Sequence, residues 1–313
     1  GQTVSGYGRI YANLVNNGTI NANNTPNAGG PATKYLVFMD QPKTNNATIT
    51  ASNGGAVYFR SVSLTQGASG VVSAPAGTTA GFESASVSGG TLTSAGSGVL
   101  NNYGSSSLNG VTLSSGSLLQ INDNTVLSLG TSGLVNNGTI AIQTIPAPGN
   151  LTRLIAPTNS NVSGTGSIKL QAVGFGGDSA YIQGQGDAAH PLTLGSGQTV
   201  TGTGRFYGNI VSQGRISPDQ PFGTPTQLGN IQALSGSLTM ASTSILDIQI
   251  ASTSSYDSIS GNDTIAQAGA LTVTSTGGYV PAASHIFTIV SGSSVTGTFS
   301  PVGVPVTGSF GPA

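Results

Sequence analysis

Cysteine and tryptophan are both absent from the 313-residue chain, and charge is nearly so. Without cysteine there is no disulfide framework, no thiol nucleophile and no zinc–thiolate site. Charged residues make up 5% of the chain, against roughly a quarter in an ordinary soluble domain. The 8 Lys and Arg and 9 Asp and Glu leave a net charge of -1. Such a chain has no basic footprint for nucleic acid and no polybasic face for anionic lipid. Helix formers are scarce too: Glu83 is the one glutamate, and no segment sets Leu, Ala, Glu and Lys at helical spacing. No apolar run approaches the ~20 residues of a membrane-spanning helix. Beginning at Gly1, with neither a methionine nor a signal-like segment, the chain reads as a processed or trimmed product.

What is abundant is glycine, 48 residues of it, amid dense Ser, Thr and Asn. The hydrophobic fraction is nevertheless 36% and the mean hydropathy is +0.10, which disorder does not accommodate. Glycine lacks the strict every-third spacing of collagen. The apolar residues are therefore expected in a core, with the small polar residues in turns and on the outer face.

The chain repeats itself. Residues 1–21 read GQTVSGYGRIYANLVNNGTIN and residues 197–217 read GQTVTGTGRFYGNIVSQGRIS; LVNNGTI occurs at 14–20 and again at 134–140. A shorter period lies between. Val87, Leu108 and Leu129 are evenly spaced, as are Leu92 and Leu113, giving a unit of roughly 21 residues, in the range of solenoid rungs. Short alternating strands separated by Gly, Ser and Asn also suit a β-sandwich, but a fixed period favours rungs that stack edge to edge. The reading is an all-β parallel β-helix, or β-solenoid, with ~21-residue rungs and essentially no α-helix. In Asn-Asn-Gly at 16–18 and 136–138 a turn residue at positive φ is expected, and a recurring asparagine can stack as an amide ladder.

Residues 1–196 read as one solenoid array with loop insertions near 21–34 and 145–161. Residues 197–300 read as a second array opening with the repeated 1–21 motif. A further loop is expected over 218–229, and residues 301–313 form a Pro/Gly/Val tail suited to an inter-subunit strand.

From Gly197 onward the sequence resembles the passenger regions of autotransporters and related bacterial surface proteins with β-strand repeats. The residues carrying this are TGTGRFYGNIV at 201–211, GRISP at 214–218, GSLTM at 236–240, LDIQI at 246–250, YDSI at 256–259, GYVP at 278–281, FTIV at 287–290 and VTGTF at 295–299. Residues 1–21 and about 82–143 are similar. The resemblance implies a right-handed β-helix that is extracellular or on a bacterial cell surface, serving as adhesin, structural fibre or, less often, hydrolase. The membrane β-barrel that commonly ends the family does not follow Phe299, so the resemblance does not extend to a self-anchored autotransporter.

Catalytic chemistry is not expected. No two of Asp40, Glu83, Asp123, Asp178, Asp187, Asp219, Asp247, Asp257 and Asp263 lie one ~21-residue rung apart, where stacking would pair them. The close pairs Asp178/Asp187 and Asp257/Asp263 read as turn aspartates bonding their own backbone. Residues 174–182 have the look of one calcium β-roll turn, a motif that works only when repeated, so no metal and no cofactor are assigned. His190 reads as a loop residue and His285 as a strand start; there is no Gly-x-Ser-x-Gly elbow. The aromatic residues of Tyr35–Phe38 and Val57–Phe59 read as core, whereas Tyr7, Tyr103, Tyr181 and Tyr256 flank turns and could meet a glycan. Sequons fall at Asn17, Asn23, Asn46, Asn137, Asn150, Asn161 and Asn262 and matter only where the source glycosylates.

A solenoid exposes an unpaired strand edge at each end, and no capping helix is visible. The expectation is head-to-tail self-association, with residues 295–310 of one subunit pairing with residues 2–15 of the next. Gln2, Val4, Ile10 and Val15 would lie on one side, and Val295, Phe299, Val302, Val304, Val306 and Phe310 on the other. A trimmed piece of a longer rod is the other reading. The function expected is an extracellular structural or adhesive fibre whose partner is itself and, secondarily, surface glycans. The alternative is a polysaccharide-binding or polysaccharide-cleaving β-helix, such as a secreted lyase or tailspike.

Overall fold

Alternation is the rule of nearly every strand: one residue inward and apolar, the next outward and small or polar. The computed structural model describes residues 1–23, 35–145, 150–172, 179–219 and 228–301. Among them there is no helix, and so none long and apolar enough to cross a membrane. The chain divides into two units, Gly1–Ala141 and Ile142–Ala313, each a right-handed parallel β-helix.

In the first unit each turn supplies three strands, and strands of successive turns pair parallel and in register. Thr48–Ser52, Val71–Ala74, Thr91–Ser94 and Val111–Leu113 form one column. Ala56–Arg60, Thr79–Glu83, Val99–Asn102 and Leu118–Ile121 form a second. Ser63–Gln66, Ser86–Ser88, Ser105–Asn109 and Val126–Leu129 form the third. From Ala85 to Leu118, side-chain bonds between adjacent turns link residues 21 to 24 positions apart, close to the expected period; the Asn16–Asn45 bond, across the 21–34 insertion, spans 29.

In-register stacking sets like residue on like. The evenly spaced Val87, Leu108 and Leu129 occupy one buried column, and Ile20, Ile49, Val72, Leu92 and Leu113 another. Phe38, Phe59 and Phe82 stack down the core, nearly parallel, with ring centres 5.1 and 5.6 Å apart. That is close to the ~4.8 Å between paired strands. One column holds a lysine: Lys43 stands between Leu14 and Leu64, fully buried. Its ammonium donates to the carbonyls of Met39, at 2.8 Å, and of Gln41. Burial lowers its pKa, offset in part by Asp40.

The amide ladder is present. Asn16 Nδ2 donates to Asn45 Oδ1 at 2.8 Å, Asn45 Nδ2 to Gln66 Oε1 at 3.2 Å, and Gln66 Nε2 to the Gly89 carbonyl at 3.1 Å. Asn16 and Asn136, the same position in the two LVNNGTI copies, each accept the amide of the glycine two residues on at 3.1 Å. Neither copy uses a positive φ. Glycine is required for closeness instead: a Cβ on Gly18 would stand 2.2 Å from the Gln2 carbonyl, and one on Gly138 would stand 2.5 Å from that of Ser117.

The second unit follows the same rule. Leu154, Ile182, Phe206 and Ala233 form one buried column; Ile168, Val200, Ile216, Leu246 and Leu271 form another. Its turns are uneven, pairing residues 16 (Thr199 with Arg215) to 32 (Ser167 with Thr199) positions apart, and one of them carries an antiparallel hairpin, Ile245–Ser252 against Ser255–Tyr256. Part of the stretch expected to loop out is strand, Leu151–Ile155, paired with Ser179–Gln183. Most of the expected 21–34 insertion lies outside the described residues, as does the tail beyond Pro301.

Asn45→Ala should cost about 1–3 kcal/mol, since it strands buried amide atoms on both sides of the ladder. The exposed Asn46→Ala should cost less than about 0.5 kcal/mol. Urea denaturation midpoints of the full chain check both.

Candidate functional site

The duplicated motif places the same residues in two environments. In the second copy the strand Thr199–Ser212 receives a preceding turn: Thr199 and Val200 pair with Ser167 and Ile168, and Ile210 pairs with Leu192. There Gln198, Val200, Phe206 and Ile210 are buried, and Gln198 Nε2 donates to the Ser163 carbonyl at 2.9 Å. In the first copy the strands Thr3–Gly6, Gly8–Ile10 and Leu14–Asn16 each pair on one side only among the described residues. Val4, the counterpart of Val200, is 61% exposed where Val200 is 1% exposed. Gln2 is exposed, Val15 is exposed, and Ile10, the counterpart of Phe206, is half-buried. With Leu14 and Ile20, Val4 and Val15 line an open apolar depression.

In the second unit the last described strands, Val290–Ser291, Ser294–Gly297 and Ser300–Pro301, likewise pair on one side only among the described residues. Val295 continues the inward column of Leu238 and Ile265 yet is 37% exposed, and Phe299 is half-buried. Val302, Val304, Val306 and Phe310 lie outside the described residues.

The carboxylates are distributed differently from the sequence expectation. In the second unit Asp219, Asp247 and Asp257, never one ~21-residue step apart, come into one neighbourhood: Asp247 on the strand Ile245–Ser252, Asp219 just past Arg215–Ser217 and Asp257 just past Ser255–Tyr256. Asp219 accepts from Ser217 Oγ at 2.9 Å, Thr201 Oγ1 at 3.2 Å and Gln249 Nε2 at 2.8 Å. Arg215 pairs with Asp247. Asp257 is fully buried: the hairpin returns it against Gln249, whose amide donates to Oδ2 at 2.8 Å, while the Gly229 amide donates to Oδ1 at 2.8 Å. Asp263 accepts the Gly236 amide at 2.8 Å. Asp257 and Asp263 thus fasten other turns rather than their own backbone. Asp187 does bond locally, accepting the Ala189 amide and facing His190 at 2.6 Å, and these hold its pKa below the usual range. Asp178 and residues 174–178 of the glycine-rich stretch lie outside the described residues.

Burial pushes the Asp257 pKa up to about 7, against the opposing pull of the two backbone amides and with a further push from Asp219. A carboxyl raised by burial near a second carboxyl has the pattern of an acid/base pair. Here both Asp257 oxygens are occupied by amides and shut off from solvent, so the group works as a fastener. Among the described residues no three His, Cys, Asp or Glu side chains converge as metal ligands would.

Of the sequon residues, Asn17, Asn46, Asn161 and Asn262 are exposed and Asn23, Asn137 and Asn150 half-buried; Asn46 donates to Asn17 at 2.8 Å. His285 lies outside any strand and bonds the Tyr279 hydroxyl at 2.6 Å. Tyr35 and Tyr58, read from sequence as core, face outward, while Phe38 and Phe59 of the same strands fill the core.

No family model, no characterised protein and no solved structure matches this chain.

Because folding favours the protonated form of Asp257, its contribution to stability is full near pH 4. It is lost as pH rises through about 7. The melting temperature should fall by several degrees over that range, and Asp257→Asn should flatten the profile, as read by thermal unfolding at graded pH.

Proposed function

We propose that the protein is an extracellular structural and adhesive element of a bacterial surface that polymerises head to tail, its principal partner being a second copy of itself. The observation that carries this reading is the contrast between the two copies of the 1–21 motif. The copy that receives a turn buries Val200, Phe206 and Ile210; in the copy that pairs on one side only among the described residues their counterparts are Val4, exposed, and Ile10 and Leu14, half-buried. Such an edge is a template for another parallel strand, and burying it removes apolar surface from water at about 25 cal/mol per Å2. The edge around Val295 supplies the complementary half, and it runs parallel to its own neighbour, as an added turn requires. A contact between two different edges of one chain is heterologous and need not close, so it builds a filament rather than a dimer.

The outward columns suit a mechanical role. Ser86 and Ser107 bond one another at 3.0 Å across the turn, and Asn21 bonds Ser52 at 3.0 Å, leaving a neutral surface of small hydroxyls and amides. The likeness to autotransporter passengers agrees with a surface location and with an adhesive part in that role.

Negative-stain electron microscopy of the purified chain at micromolar concentration should show long unbranched fibres. Val4→Lys and Val295→Lys, each placing charge on an exposed edge position, should abolish the fibres while shifting stability by no more than about 0.5 kcal/mol. Isolated short rods from the unaltered chain would overturn polymerisation and leave an edge that a longer chain covers.

A further inference from the structure

On the outer face of the first unit, three tyrosines lie along one diagonal. Register places Val37, Tyr58, Gly81 and Asn101 in one outward column, with Tyr35, Ala56, Thr79 and Val99 in the column beside it. The column on the other side holds Met39, Arg60 and Glu83, and continues to Tyr103, whose amide bonds the Phe82 carbonyl. The backbone positions of Tyr35, Tyr58 and Tyr103 therefore cross the face over three inter-turn steps of about 4.8 Å each, and their rings lean together along that line.

Gly81 shapes the middle of this diagonal. A Cβ there would meet the Tyr58 ring at 2.4 and 2.5 Å and the Tyr103 ring at 3.0 Å. The Tyr58 ring therefore lies against the glycine and is half-buried. Tyr35 stands edge-on to it, with ring centres 5.5 Å apart and planes at 85°, and Tyr103 tilts against it at 5.9 Å and 45°. The two outer rings remain 48% and 42% exposed. A half-buried ring between two exposed ones makes this stretch of the face an aromatic trough.

Its rim is polar and already ordered. Arg60 Nε meets Glu83 Oε2 at 2.6 Å with both side chains partly exposed, and Asn101 Nδ2 donates to the Tyr103 hydroxyl at 3.1 Å. Burial, with the neighbouring Tyr103 hydroxyl, pushes the Tyr58 pKa up to about 12, so its phenol stays a neutral donor.

We propose that this trough of Tyr35, Tyr58 and Tyr103, rimmed by Arg60, Glu83 and Asn101, binds a neutral polysaccharide chain. Aromatic faces take the apolar C–H faces of sugar rings, and a fixed donor–acceptor pair takes ring hydroxyls. The paired charges cancel, which gives neither an anionic nor a cationic ligand an advantage. The backbone groups beneath are used in the ladder, so no peptide strand can add there. The inference rests on the adhesive half of the proposed function and is independent of polymerisation.

The test is affinity electrophoresis of the full chain in native gels, each holding one soluble neutral polysaccharide: xyloglucan, galactomannan, mixed-linkage β-glucan or dextran. Retardation is expected in at least one. Tyr58→Ala and Tyr35→Ala should each weaken it about tenfold, the loss of roughly one stacking contact. Tyr58→Phe should keep it. Tyr35 does not cover Gly81, so its variant separates ligand stacking from mere shielding of the glycine. No retardation of the unaltered chain in any gel, or retardation unchanged in both alanine variants, would overturn the proposal. Fibre formation should be the same in all of these variants, so either reading can fail alone.

Discussion

Everything in this protein depends on a parallel strand accepting the next strand directly above it. The hydrogen bonds between turns are made by backbone, and backbone is the same for every residue; what the sequence contributes is permission. Inward positions must be apolar, outward ones small, and corners must let two carbonyls come close. Gly18 and Gly138 meet that last condition by lacking a Cβ rather than by an unusual φ. A fold held this way does not require charge, cysteine or helix, and the composition shows none in quantity.

The same constraint accounts for what could be read in advance. Val87, Leu108 and Leu129 declare the period because in-register stacking turns equal spacing in sequence into contact in space. Asn16 announced the amide ladder because a buried polar residue at a recurring corner must find a partner in the turn above, here Asn45 and then Gln66. Less legible were the strands Tyr35–Met39 and Ala56–Arg60, where tyrosine and phenylalanine alternate and either phase looks apolar. Their phase was settled from another turn, by the glycine at position 81 that gives Tyr58 room outside.

The carboxylates show the opposite limit. A search for pairs one ~21-residue rung apart is sound only while turns keep that length. In the second unit the spacing runs from 16 to 32, and the hairpin ending at Tyr256 brings Asp257 to Gln249 and Gly229, contacts no fixed period foretells. Insertions are where a repeat stops predicting itself. The interactions found there are accordingly individual: an aspartate fastening two distant amides, an arginine paired with Asp247.

The amide ladder has a further consequence. A stack of similar turns carries a hazard that a globular core does not, since sliding the chain by one whole turn sets leucine on leucine again and loses little. Asn45 is bonded to Asn16 on one side and to Gln66 on the other, residues of different turns, so a slip of one turn on either side takes one of those partners away. Lys43, two residues earlier, carries its acceptors Met39 and Gln41 along with it and offers no such resistance. In a chain built of near-copies, the polar corner identifies which copy is which.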